Sequence, residues 1–144
     1  IAEIEERNLR SKNIIVRNVP ESKESTQINK LTDDQKTITK IIEELDSSAQ
    51  QEIVKVYRLG RINPDKPRPI KIEFTHKEAS KLILTKRNQL RNNVRLYQDL
   101  TPLQHKNLIN LRTELEQRKN DGENDLTIKY FNQQPKIVKF KPKN

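Results

Sequence analysis

The order in which hydrophobic periodicity changes along the chain is the feature that most restricts its fold. The β-branched run NIIVRNVP (13–20), closed by Pro20, has the composition of a short buried strand. Beyond it the apolar residues follow a helical spacing, then two strand-like runs, then a second helical spacing, and VRLY (94–97) ends the series. This succession predicts a β-α-β-β-α-β domain over residues 13–98, with four antiparallel strands carrying two helices on one face.

Two capping-box patterns predict where the helices of this domain begin. Thr32 is followed three residues later by Gln35, and Thr75 is followed by Glu78 at the same spacing. The apolar residues at helical spacing are Ile38, Ile41, Ile42 and Leu45 in the first helix, and Ala79, Leu82, Ile83 and Leu90 in the second.

The two central strand-like runs predict a hairpin. EIVKVYRLG (52–60) and RPIKIEF (68–74) are joined by a segment rich in turn residues, and the second run alternates with period two. Alternation assigns one set of strand residues to the core: Ile14, Val16, Ile70, Ile72 and Phe74. It assigns another set to the opposite, open face: Ile15, Arg17, Lys71 and Glu73, with Lys55 and Tyr57 beside them.

The last third of the chain predicts a second, smaller domain over residues 99–144. Thr101, Pro102 and Gln104 have the pattern of a capped helix start, and Gly122 can end that helix. Its apolar edge consists of Leu108, Leu111 and Leu115. DLTIKYF (125–131) and PKIVKF (135–140) alternate around the turn-like residues Asn132, Gln133, Gln134 and Pro135 and therefore predict a hairpin.

The first twelve residues predict the end of a longer amphipathic helix. In IAEIEERNLRSK (1–12), Ile1, Ile4 and Leu9 fall near one helical face among charged residues. We interpret this segment as the end of a coiled coil.

The charge of the chain is large and unevenly placed. The net charge is +9, with 11 basic and 12 acidic residues in 1–65 but 18 basic and 8 acidic residues in 66–144. Such asymmetry indicates a polyanionic partner that engages mainly the second half, although a well-solvated basic surface is the alternative explanation. Because only 31% of the residues are hydrophobic, the core must be thin, and an oligomer or partner is expected.

Composition argues against several classes of site. There is no Cys, and His76 and His105 are isolated, so we expect no metal site and no thiol chemistry. With two glycines, no nucleophile–base pair and no clustered carboxylates, we expect no catalytic residues, no cofactor and no enzyme activity. No apolar run approaches the ~20 residues that span a bilayer, so a soluble, intracellular protein is expected.

The open sheet face resembles that of an RNA-recognition module but departs from its usual residues. Such modules stack bases on aromatic side chains of the first and third strands, whereas Ile15, Pro69 and Lys71 occupy those positions here. Weak stacking and phosphate contacts that do not discriminate sequence are therefore expected. Candidates on the sheet and on the hairpin that joins its strands are Arg17, Lys55, Tyr57, Arg58, Arg61, Lys66, Arg68 and Lys71.

The C-terminal hairpin offers further candidates. Four lysines interleave with three aromatic residues there, a pattern typical of stacking combined with phosphate neutralisation: Lys129, Lys136, Lys139 and Lys141 with Tyr130, Phe131 and Phe140. Lys129 and Lys139 are the candidates chosen from this set. A purely structural role for the two phenylalanines in the core is the alternative.

The order of the motifs along the chain resembles that of the first open-reading-frame protein of LINE-type retrotransposons. The resemblance covers nearly the whole chain and rests on a charged helix end followed by NIIVRNVPE, VYRLGR, RPIKIEF, DLTP and a terminal DLTIKY hairpin. It implies a coiled coil, a noncanonical RNA-recognition domain and a C-terminal domain. Arg58 would match the arginine of the second-strand motif, and Asp99, Thr101 and Pro102 the hinge and helix start. Lys106 would be a basic contact on that helix, where we also place Arg112.

The resemblance implies sequence-tolerant binding and chaperoning of single-stranded RNA in a retrotransposon ribonucleoprotein particle. Single-stranded DNA stays open as a substrate. The expected partners are the nucleic acid and two further copies in a homotrimer, without a membrane, and the expected location is cytoplasmic particles, with the nucleus as a second compartment. A protein-interaction domain of the same fold, with its open sheet face covered by a helix, is the alternative hypothesis.

Overall fold

The chain divides into two units, each of which combines helices with antiparallel strands. The computed structural model describes residues 2–131 and 134–140, and the units are Ile1–Asp99 and Leu100–Asn144. Helices and antiparallel strands occur in both, which confirms the α+β class. The first unit contains, in chain order, α1 (Ala2–Arg10), β1 (Asn13–Arg17), α2 (Gln27–Leu45), β2 (Ile53–Arg58), β3 (Ile70–Phe74), α3 (Lys77–Thr85) and β4 (Arg95–Gln98). The second unit contains α4 (Pro102–Asn120), β5 (Leu126–Phe131) and β6 (Gln134–Lys139).

The first unit is built on a four-stranded sheet with the order β2-β3-β1-β4, in which every neighbouring pair is antiparallel. β2 and β3 form the hairpin that the sequence predicts. In the centre of the sheet Ile14 lies opposite Ile72, and Val16 lies opposite both Ile70 and Leu96. This register places all five residues on the same face.

Both α2 and α3 pack on that face. The predicted core residues of the strands are all buried: Ile14, Val16, Ile70 and Ile72 are 0% exposed and Phe74 is 2% exposed. The predicted stripe of α2 is buried with them, and Ile83 is the buried apolar residue of α3. Because both helices lie on one face, the side chains of opposite parity in the strands are left on the other.

Helix α2 begins earlier than its predicted capping box. Its N-cap is Thr26, whose hydroxyl accepts a hydrogen bond from the Asn29 amide at 3.2 Å. Thr32 lies inside the helix and donates its hydroxyl to the Ile28 carbonyl at 2.9 Å. The prediction was wrong because the first turns extend beyond the core, where Ile28 is 76% exposed, so no hydrophobic stripe indicates them.

Helix α3 also departs from its predicted cap. Its N-cap is His76, which makes no side-chain capping bond, while the Thr75 hydroxyl donates to the Glu52 carboxylate. The helix ends at Thr85, so Leu90 does not continue the helical stripe as predicted. Leu90 follows a short 3₁₀ turn and packs against the core while half-buried.

Helix α1 is stabilised by ion pairs within the helix, and its apolar residues are exposed. Glu3 pairs with Arg7 and Glu6 with Arg10, each one turn apart. Of the apolar residues that suggested a coiled coil, Ile4 is 61% exposed and Leu9 is 65% exposed, while Ile1 lies outside the described residues.

The second unit matches its predicted elements closely. Thr101 and Gln104 form the reciprocal capping box of α4, with Pro102 in the first turn. At the other end Gly122, with φ of +96°, donates to the Lys119 carbonyl, and Glu123 donates to the Arg118 carbonyl. These two bonds form a Schellman motif, which requires a left-handed residue and thus favours glycine.

The C-terminal hairpin packs on α4 through one face. β5 and β6 pair antiparallel from Leu126 opposite Lys139 to Phe131 opposite Gln134. Leu126 and Leu108 are buried, while Leu111 and Leu115 are half-buried. Gln134 and Pro135, predicted as turn residues, already belong to β6, whereas Asn132 and Gln133 lie outside the described residues.

We expect Thr26→Ala to lower the free energy of unfolding by about 1 kcal/mol, because it leaves the Asn29 amide without its capping acceptor. Thr32→Ala is the matched control, and its effect should stay within about 0.5 kcal/mol because the hydroxyl only bonds to a carbonyl inside the helix. Urea unfolding followed by circular dichroism measures both values. A larger loss of unfolding free energy for Thr32→Ala than for Thr26→Ala would instead support a helix that begins at Thr32.

Candidate nucleic-acid interface

The face of the sheet opposite the helices carries a row of four side chains that crosses every strand. Tyr57 on β2 lies opposite Lys71 on β3, Lys71 lies opposite Ile15 on β1, and Ile15 lies opposite Tyr97 on β4. Tyr97 is 44% exposed and the other three are half-buried. The two central strands thus lack aromatic residues on this face, as predicted, but the outer strands supply one on each side.

Two residues away from Ile15 and Tyr97, on the same face of β1 and β4, two arginines lie next to each other. Arg17 and Arg95 are directly opposite in the register and both are exposed. Arg95 donates to the backbone carbonyls of Asn92 and Val94 at 3.0 and 3.1 Å. Neither guanidinium forms an ion pair with a carboxylate among residues 2–131 and 134–140, so the two positive charges stay uncompensated there.

The charge of Lys71 is, by contrast, largely compensated within the protein. Its ammonium lies 3.3 Å from Asp99, which also accepts from the Asn13 side-chain amide at 2.9 Å and pairs with Arg10 at 3.4 Å. Burial lowers the pKa of Lys71, but the Asp99 carboxylate and the Tyr57 hydroxyl together outweigh it and leave this pKa raised. Lys71 is therefore charged, and a phosphate would compete with Asp99 for it.

Lys55 stays available at the edge of the same face. It is exposed, and its ammonium lies 4.8 Å from the centre of the Tyr57 ring. This distance is within the range of a cation–π contact, which holds the lysine over the ring without neutralising its charge.

Arg58, expected to bind nucleic acid, is instead a buried structural residue whose side chain is only 4% exposed. Its Nε and Nη2 donate to the two oxygens of Asp34 at 3.0 and 2.9 Å. Three backbone carbonyls accept its other hydrogens at 2.8 Å, those of Val19, Pro20 and Arg68. All five N–H donors of the guanidinium are thus used, and none is left for a phosphate.

Arg68 lies next to this residue and is paired with Glu21. Its Nε and Nη2 donate to the two carboxylate oxygens at 2.9 and 3.0 Å, and its backbone amide donates to the same carboxylate at 2.9 Å. The hydrogen bond from the Arg68 side chain is the main reason that the pKa of Glu21 is lowered to about 2. A phosphate would have to displace this bidentate partner, so Arg68 is a weaker candidate than its charge suggests.

Arg61 and Lys66 are exposed on the loop that joins β2 to β3. The backbone of Lys66 pairs with that of Asn63 in an isolated antiparallel β-bridge. Lys66 also lines a cavity of about 420 Å³. The cavity is lined by Asn18, Pro20, Glu21, Asn63, Pro64, Asp65, Lys66, Pro67 and Asn93. Among the described residues neither Arg61 nor Lys66 forms an ion pair, so both are free to contact an anion.

The C-terminal hairpin brings a second pair of like charges together. Lys129 lies directly opposite Lys136, and both are exposed. Phe131, two positions along the same strand face, is 48% exposed, and Phe140 is 42% exposed. The alternative prediction that both phenylalanines belong to the core is therefore wrong.

The remaining predicted contacts in this unit do not lie on one surface. Lys139 is opposite Leu126, on the hairpin face opposite to that of Lys129. Lys106 and Arg112 are exposed on α4, but six residues correspond to about 120° around a helix. The structure thus brings Lys129 together with Lys136 rather than with Lys139.

Two residues of the candidate interface, Arg95 and Tyr97, were missing from the sequence prediction of binding residues, whereas Lys136 was part of the hairpin pattern but was not chosen as a candidate. VRLY (94–97) was assigned as a strand, so alternation of that strand could have placed Arg95 and Tyr97 on one face. Their pairing with Arg17 and Ile15 needed the register, which periodicity alone does not supply.

No protein-family model matches this chain, and no curated protein matches it. Within the described ranges, no helix has the length and apolarity required to cross a bilayer. The same residues contain no group of three or more His, Asp or Glu side chains arranged to hold a metal ion.

We expect Arg58→Ala to lower the free energy of unfolding by about 3–5 kcal/mol, because it leaves the buried Asp34 carboxylate without its partner. The exposed neighbour Arg61→Ala should change it by no more than about 0.5 kcal/mol. Thermal and urea unfolding of both variants test this. Equal stabilities for the two variants would contradict the structural role of Arg58.

Proposed function

We propose that this chain binds single-stranded RNA with little sequence preference through the open face of its four-stranded sheet. The observation that carries the proposal is the combination of two outer-strand tyrosines with the uncompensated Arg17–Arg95 pair on that face. Arginine and lysine neutralise phosphates without reading bases, and aromatic rings accept any base by stacking. The exposed Lys129–Lys136 pair with Phe131 offers the same chemistry in the second unit.

The strand order β2-β3-β1-β4 with both helices on one face supports a noncanonical RNA-recognition fold for the first unit. We further propose that the chain is related to the first open-reading-frame proteins of LINE-type retrotransposons, on the resemblance of its motifs. In that setting it would act in cytoplasmic ribonucleoprotein particles, with the nucleus as a second compartment.

The exposed Ile4 of α1 supports packing of this helix against other helices, whereas Leu9 lies about 140° further around the same helix. We propose a coiled-coil homotrimer, which would present three weak basic surfaces to one strand and raise the overall affinity. Sedimentation equilibrium of the protein checks the state, and a mass of one chain at all concentrations would argue against it.

Salt titration of RNA binding tests the proposed function. A labelled single-stranded RNA of ~25–50 nucleotides should bind with an affinity that falls steeply as salt is raised. In a plot of log affinity against log salt concentration, the slope should be about −0.7 for each neutralised phosphate. Replacing both Arg17 and Lys55, the exposed cations on β1 and β2 of the open sheet face, with Ala should reduce the magnitude of this slope by up to about 1.4, two phosphate contacts.

The matched control removes an exposed lysine from α2, on the other side of the sheet. Lys36→Ala should leave the slope unchanged, because its charge lies on the helix layer. Absence of binding at low salt would reject the proposal and favour a protein partner for the open sheet face.

We also propose chaperone activity, because many exchangeable phosphate contacts reduce repulsion between strands while permitting rearrangement. Annealing of two complementary labelled oligonucleotides should be accelerated by the protein at low salt, and the acceleration should decline as salt is raised. An annealing rate equal to that without protein would exclude this activity while leaving simple binding intact.

A further inference from the structure

At one corner of the open sheet face, where β1 pairs with β4, the aromatic ring of Tyr97 lies near two arginines that have no carboxylate partner among the described residues. Tyr97 and Arg95 lie two residues apart on β4, and their partners on β1 are Ile15 and Arg17. Residues directly opposite in an antiparallel pair have Cβ atoms about 4.5–5.5 Å apart, and diagonal neighbours lie about 7–8 Å apart. A base and a phosphate joined by one sugar can therefore contact two adjacent rows of this corner.

Like charges directly opposite in a sheet oppose each other, so the Arg17–Arg95 pair is unfavourable until an anion lies between the two guanidinium groups. Neither group has a carboxylate partner among the described residues, in contrast to Arg58, Arg68 and Lys71. Guanidinium groups bind phosphate with paired, charge-assisted hydrogen bonds. The charge of this corner thus fits a phosphate group.

The adjoining row supplies a surface for a base. Tyr97 is 44% exposed, and the half-buried Ile15 beside it extends the apolar surface. A base can lie flat on an exposed ring only if it is not already stacked and paired in a duplex. The corner therefore favours a single strand over a double helix.

We propose that Arg17, Arg95, Ile15 and Tyr97 form a nucleotide subsite at the β1–β4 edge, in which a base stacks on Tyr97 and its phosphate lies between the two arginines. The subsite rests on the proposed RNA-binding function and locates a principal base contact on the outer strand β4. The central strands, with Ile15 and Lys71, contribute no ring to it.

Intrinsic fluorescence can report on this contact directly, because the chain has three tyrosines and no tryptophan. The double variant Tyr57→Phe, Tyr130→Phe leaves Tyr97 as the one fluorophore and keeps aromatic rings at the other positions. Single-stranded oligouridine should quench its emission by stacking, whereas an abasic oligonucleotide of equal length should bind without quenching it. Quenching of equal size by the two oligonucleotides would overturn the stacking assignment.

Affinity measurements on the full chain separate the base contact from the phosphate contact. Tyr97→Leu should weaken oligouridine binding on the order of tenfold and leave the salt slope unchanged. Arg95→Gln should lower the salt slope by about 0.7, one phosphate contact. The matched control is Arg91→Gln, an exposed arginine in the loop before β4, which should retain the affinity and slope of the wild type.

The outcomes distinguish the subsite from the function on which it rests. Wild-type affinity in both Tyr97→Leu and Arg95→Gln, each folded by circular dichroism, would overturn the subsite while RNA binding stands. Absence of binding by the wild type would overturn both. Equal affinity for polyglutamate of matched charge would overturn the subsite in favour of an acidic protein partner.

Discussion

The buried guanidinium of Arg58 is the interaction on which the arrangement of the first unit depends. It joins β2 to Asp34 of α2, to the carbonyls of Val19 and Pro20 after β1, and to the carbonyl of Arg68 before β3. Three segments that are distant in sequence thus meet at one side chain. Because every donor has an acceptor, burial of the charge does not leave the desolvation penalty of an unpaired group.

Pairing inside the protein decides which of the many cations can reach a ligand. Arg58 and Arg68 are held by Asp34 and Glu21, and Lys71 shares Asp99 with Asn13 and Arg10. The net charge of +9 therefore does not locate the interface. Among the described residues, exposed cations without a carboxylate partner include Arg17 and Arg95 on the open sheet face, Arg61 and Lys66 on the loop between β2 and β3, and Lys129 and Lys136 on the C-terminal hairpin.

The sequence predicted the features that depend on local periodicity, namely the core residues of the strands and the ends of α4. It did not predict the features that depend on contacts between distant segments. Alternation correctly assigned Ile14 and Ile72 to the core, and the Thr101–Gln104 capping box and Gly122 correctly bounded α4. The start of α2 could not be obtained in this way, since its first turns bury no stripe. Likewise, the burial of Arg58 could not be predicted, because its acceptors come from separate segments 10–39 residues away.

Both units place like charges opposite each other beside an exposed aromatic residue. Arg17 with Arg95 next to Tyr97, and Lys129 with Lys136 next to Phe131, repeat one arrangement on unrelated sheets. Like charges directly opposite each other in a sheet are destabilising, so the folded chain retains unfavourable interactions at its surface. An anion that neutralises them binds the folded state in preference to the unfolded one, and binding thereby stabilises the fold. Under the proposed function the same residues would link RNA affinity to folding stability, and both effects would weaken as salt screens the charges.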